Sequence, residues 1–160
     1  MKQLIFHINT IKENIKVLKS LFLDILQNYS LPLKSDDYFE IKENDFKIFD
    51  TIAYRYIKTQ SILSEKLFRE ILEFGEYDTK NKSFIEILSE LQKEGILESV
   101  EEWKILREIR NSLSHDYPYD EDDIIEAINF LYSKIEVLEK IINKIEEKYE
   151  KISAIKSKRN

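Results

Sequence analysis

A chain of 160 residues with 42% hydrophobic residues, nine Phe and nine Tyr can bury one sizeable core, and two Gly with two Pro are too few for the turns of a sandwich or barrel, which leaves an all-α fold. The absence of Cys excludes a disulfide framework, a thiolate nucleophile and a zinc–thiolate cluster. A net charge of −6 opposes sequence-blind nucleic-acid binding, so any contact with RNA must depend on a local patch.

Apolar residues recur at three- and four-residue steps from Leu4 through Ile8, Ile11, Ile15, Leu18, Phe22, Ile25 and Tyr29, which predicts a helix with one buried seam. Lys2, Lys12, Glu13, Lys16, Lys19 and Asp24 interrupt any secretory apolar run, and no later stretch of 18 uncharged apolar residues exists; a cytoplasmic protein that does not engage a membrane is expected. Pro32 and the polar stretch to about Asn44 end this helix. A second helix is expected from about Asp45 to Phe74, with Phe46, Phe49, Ala53, Tyr56, Leu63, Leu67, Ile71 and Phe74 inside, stopping at Gly75. Ser83 with Glu86 reads as a capping box for a short helix closed by Gly95, and Ser99 with Glu102 repeats the signal for a fourth helix running toward His115. After Pro118, the run from Asp120 to Asp123 suits a helix N-terminus, with a metal site as the sharper alternative. The last helix carries an unbroken seam from Ile124 to Ile152. The prediction is an all-α, antiparallel helical bundle of about five helices, forming a single domain over 1–160 with 155–160 as a frayed basic tail.

The chemistry-bearing segment is Arg107-Glu-Ile-Arg110-Asn111-Ser-Leu-Ser-His115-Asp-Tyr117-Pro118. On a helical wheel Ile105, Leu106, Ile109 and Leu113 share an arc of roughly 100° that reads as the buried face. Arg107, Asn111 and His115 then form one polar line, with Arg110 beside it, nearer the core. Arg110 and His115 are about 140° apart on one straight helix, so they converge only if the helix end distorts or two chains share the site. On spacing alone, His115 also reads as a helix C-terminal histidine near the last carbonyls, Tyr117 with Pro118 as a helix stop, and His7 as a partly buried structural residue. No Gly-rich phosphate loop and no His-Glu-x-x-His pattern is present.

The residues Arg110-Asn111-Ser112-Leu113-Ser114-His115-Asp116-Tyr117 fit a pattern of Arg, four residues, His, one residue, Tyr. This resembles the signature of HepT-type toxins in the HEPN superfamily, and a polar Asn directly after the Arg fits as well. The resemblance implies a homodimeric helical bundle with the motifs facing each other across a cleft, acting on RNA rather than DNA as a metal-independent endoribonuclease with no cofactor. It assigns Arg110 and His115 as catalytic, with Asn111 and Arg107 supporting. It also implies a type VII toxin–antitoxin pair in which an MntA-like nucleotidyltransferase antitoxin transfers AMP to Tyr117. The alternative is a non-catalytic helical module that binds such a nucleotidyltransferase; a coiled-coil adaptor using the final seam is a third reading.

Overall fold

The computed structural model describes residues 1–114 and 120–160. The first seam forms α1 (Lys2–Leu26), whose buried side is Leu4, Ile8, Ile11, Ile15, Leu18, Phe22 and Ile25, with His7 and Asn14 on the same face. The stretch expected to be irregular instead contains a helix, α2 (Ser35–Asn44). Asp36 and Asp37 favour its N-terminus, and the Lys34 amide donates to the Asp37 carboxylate at 3.1 Å. Only Tyr38 and Ile41 anchor it, Tyr38 by stacking on Phe49 at 4.5 Å between ring centroids. Two apolar positions one turn apart are too few to register as a period, which is why the sequence conceals this helix.

The long second helix begins at Ile48 rather than Asp45, as α3 (Ile48–Ile62), and Phe46, placed inside by the sequence reading, is 68% exposed in the turn before it. Without a break, α3 passes through a π-helical turn at Leu63–Leu67 into α4 (Phe68–Phe74). The rod stops where expected, but Glu76 adopts the left-handed conformation (φ 68°), with the Tyr77 amide donating to the Leu72 carbonyl at 3.0 Å. Gly75 itself is not left-handed, and a Cβ there would meet the side chains of Ile152 and Lys148 on the last helix at 3.4 Å, an ordinary van der Waals contact.

Helix α5 (Phe84–Lys93) has the expected capping box: the Glu86 amide donates to Ser83 Oγ at 3.3 Å and the Ser83 amide to Glu86 Oε2 at 2.8 Å. Gly95 (φ 74°) closes it, with the Ile96 amide donating to the Leu91 carbonyl at 2.9 Å. Helix α6 (Val100–Ser114) starts with the Glu102 amide on Ser99 Oγ at 3.0 Å. Asp120 caps α7 (Glu121–Arg159), accepting from the Asp122 amide at 3.3 Å, so the acidic run is a helix start. The basic tail expected to fray is helical through Arg159. Lys156 Nζ donates to the Phe74 carbonyl at 3.0 Å and lies 4.3 Å from the Phe74 ring centre, and cations in a last turn complement the helix dipole.

The contact pattern is antiparallel. His7 meets Glu70 while Asn14 meets Arg55, so α1 runs against the α3–α4 rod; Lys12 pairs with Glu146 and Lys19 with Glu139, so α1 also runs against α7. Helix α7 passes α6 in the same sense, with Lys134 on Glu102 and Lys140 on Glu98. The link between α1 and α2 is held to α7 by Asn129, whose carboxamide accepts from the Leu33 amide at 2.7 Å and donates to its carbonyl at 3.0 Å. The expected all-α architecture is present, with six helical rods (α1, α2, α3–α4, α5, α6, α7) in place of about five, and no strand among the described residues. Likewise, no described helix is long and apolar enough to cross a membrane.

Candidate functional site

Trp103, Leu106 and Ile109 are almost wholly buried on α6 and fix how it turns in the bundle. Ile105, counted among the buried residues by the wheel, is 38% exposed. The reason is Trp103: its large ring, packed edge-on against Phe68 with centroids 4.7 Å apart, draws the inner arc toward itself and leaves Ile105 roughly 100° from Leu106 at the margin. That same rotation brings Arg110 into the edge of the inner arc.

Arg110 is half-buried, whereas Arg107 and Asn111 are exposed, so the expected polar line lies along the outside of α6 with Arg110 beside it. The Arg110 guanidinium reaches α3, where Nη2 donates to Ser61 Oγ at a long 3.5 Å, and its Nε is shielded from water with no partner among the described residues. One helical turn back, the Tyr56 hydroxyl of α3 donates to the Leu106 carbonyl of α6 and ties the two helices together. Burial pushes the Tyr56 phenol well above its ordinary value near 10, against a smaller opposing effect of the Arg110 charge, so Tyr56 stays a neutral donor. His115 and Tyr117 lie outside the described residues, as do Asp116, Pro118 and Tyr119. Of the motif, the structure therefore describes Arg110 together with Arg107 and Asn111. The other histidine, His7, is buried between α1 and α4, its Nδ1 2.8 Å from Glu70 Oε2, in keeping with a structural residue.

Arg107 and Arg110 also line a cleft of about 350 Å³ between α6 and the π-turn, shared with Gln60, Ser64, Glu65, Phe84 and Trp103. Gln60 and Trp103 were not singled out from the sequence, although Gln60 stands at the step after Tyr56 in the apolar seam of α3, where a hydrophobic residue is the ordinary choice. Each carries a buried polar atom without a partner among the described residues, Gln60 Oε1 and Trp103 Nε1. Two guanidiniums against the single carboxylate of Glu65 make this cleft positive in a chain of net charge −6.

No family model, curated protein or solved structure matches the chain. A fork of N–H donors drawn toward the core but poorly partnered is suited to an oxyanion of fixed geometry, above all a phosphate.

Proposed function

We propose that this chain is a metal-independent endoribonuclease, a HEPN toxin of the HepT kind, in which Arg110 and His115 act on one RNA phosphate and AMP transfer to Tyr117 shuts the site. The observation that carries this reading is Arg110 itself: a half-buried guanidinium that, among the described residues, has one long hydroxyl contact and an unpartnered Nε, one residue before Asn111 and five before His115. Drawing a cation toward a core with so few partners costs stability, and a bound phosphate would supply the missing acceptors.

RNA carries its own nucleophile. Its 2′-hydroxyl must lose a proton, its oxygen attacks the phosphorus, and the bond to the 5′-oxygen breaks as that oxygen takes up a proton. Arg110 neutralises the added charge on the phosphorane, which is where a preorganised cation contributes most. A histidine, with an ordinary pKa near 6.5, exchanges protons near neutral pH. One imidazole cannot be base and acid at once, so two copies of His115 from paired chains, or one His115 with Tyr117 or water, divide the transfers. Asn111 orients the phosphate or the partner imidazole, and Arg107 adds positive charge at the approach. The partners implied are RNA, a second copy of the chain and an MntA-like nucleotidyltransferase. An AMP on Tyr117 brings bulk and negative charge beside Arg110 and competes with RNA for it.

Expression alone in a bacterium tests the reading. Growth should arrest and be rescued by His115→Ala or Arg110→Ala, while Tyr117→Phe should stay toxic and escape the antitoxin. Harmless expression of the unaltered chain would leave only a helical module that docks its partner.

A further inference from the structure

The cleft between the π-turn and α6 holds more polar chemistry than one scissile phosphate can use. Gln60 is 2% and Trp103 1% exposed, and each has a buried polar atom with no partner among the described residues: an acceptor, Gln60 Oε1, and a donor, Trp103 Nε1. Groups of this kind are paired in the large majority of folded proteins, so one on each of two helices lining this cleft calls for a ligand or another reason. The π-turn at Leu63–Leu67 is a second, independent observation, because such turns give up regular helical bonding and recur at functional sites; this one carries Ser64 to the cleft. The volume of about 350 Å³ is near the lower end for ligand clefts, roughly 300–1,000 Å³, which suits one nucleotide rather than a long segment. A larger cavity of about 670 Å³ beside Leu33 and Phe130 sets Asp122 and Glu126 against Lys34 alone, a net negative lining that suits phosphate poorly.

We propose that this cleft is the subsite for the nucleotide next to the scissile phosphate. Arg107 holds its phosphodiester together with Ser64, whose hydroxyl turns from the Gln60 carbonyl, 2.9 Å away, to donate to it, and the Gln60 amide with the Trp103 indole N–H reads the donor and acceptor on the edge of its base. The half-buried Phe84 ring flanks the base. Both atoms are shielded from water, so admission requires the Gln60 side chain and the wall over the Trp103 indole to open toward the mouth, after which both hydrogen bonds form away from water, where they discriminate strongly. A base edge is free only when the base is unpaired, so the ligand is single-stranded RNA. This inference rests on the ribonuclease reading of Arg110, which reserves Arg110 for the scissile phosphate.

Trp103 is the only tryptophan in the chain, so its emission reports this cleft. The full chain is titrated with a single-stranded 2′-O-methyl oligoribonucleotide, which lacks the attacking hydroxyl, with its duplex, with AMP and with inorganic phosphate. The single strand should change Trp103 emission saturably and bind more tightly than the other three. Arg107→Ala should weaken it about tenfold and lower the slope of log affinity against log salt by about 0.7. Ser64→Ala should weaken binding too, and gives a second variant that leaves the buried Gln60 and Trp103 in place. An emission indifferent to the oligonucleotide, equal affinity of both variants and the unaltered chain, or phosphate or AMP binding as tightly as the strand would each overturn the proposal. Failure of the two readings is distinguishable: cleavage that needs His115 but has a KM indifferent to Arg107→Ala and Ser64→Ala sinks the subsite alone, whereas Arg107-dependent strand binding with no cleavage of unmodified RNA sinks the ribonuclease.

Discussion

Arg110 sits where stability and function pull in opposite directions. Its Nε is shielded without a partner among the described residues, and an unsatisfied buried donor costs about 1–3 kcal/mol, less here because the side chain is only half-buried. Arg110→Met, of similar length and apolar, should therefore leave stability unchanged or raise it by about 1 kcal/mol in urea unfolding, while abolishing RNA cleavage. A large loss of stability would show instead that the guanidinium is a structural tie. Tyr56 offers a test by pH. Burial holds its phenol neutral in the folded chain, so both folded and unfolded forms are protonated below about pH 10; above that the unfolded chain alone releases the proton. Stability should then be full at neutral pH and fall above about pH 10 by up to about 1.4 kcal/mol per pH unit from this group. Tyr56→Phe should cost about 1 kcal/mol at pH 7 through loss of the bond to the Leu106 carbonyl, yet flatten that alkaline fall. Arg110, Arg107 and Asn111 were legible from their helical spacing, because period alone places side chains around a helix. Gln60 and Trp103 were not, because an apolar seam reads as packing, and only the folded arrangement shows a polar atom within it left without a partner among the described residues.

Among the elements, the helices with many apolar repeats were legible and the short or distorted ones were not. Helix α1 and helix α7 each repeat their seam over many turns, whereas α2 rests on Tyr38 and Ile41 and is held by its neighbours. The π-turn at Leu63–Leu67 had no signal at all, since its residues suit an α-helix equally and tertiary packing selects the wider turn. The capping box of α5 was legible to the residue. Ser83→Ala should cost about 1 kcal/mol of stability without altering RNA cleavage, since α5 lends the proposed site only Phe84. The Glu86 carboxyl is held below its ordinary value chiefly by the Ser83 amide and then the Ser83 hydroxyl. Its support is thus present above the usual carboxylate range and lost as pH falls through the depressed value, so Ser83→Ala should matter less in acid. A cost unchanged by pH would place the cap energy elsewhere.

For the whole molecule, the α1, α3–α4, α6 and α7 rods form a frame in which α6 delivers its polar line to the outside and Arg110 to an edge. On a single straight helix Arg110 and His115 diverge by about 140°, and in the proposed mechanism pairing of two chains brings the missing group into reach. Mixed dimers of unaltered and His115→Ala chains should then be well below full activity, and full activity per mixed dimer would confine the chemistry to one chain. Whether Arg110 and His115 act together on an RNA phosphate is tested most directly by incubating the purified chain with total RNA in excess chelator, beside Arg110→Ala and His115→Ala. Chelator-resistant cleavage by the unaltered chain that disappears in both variants is the predicted result; no cleavage, or cleavage that survives either substitution, would contradict it.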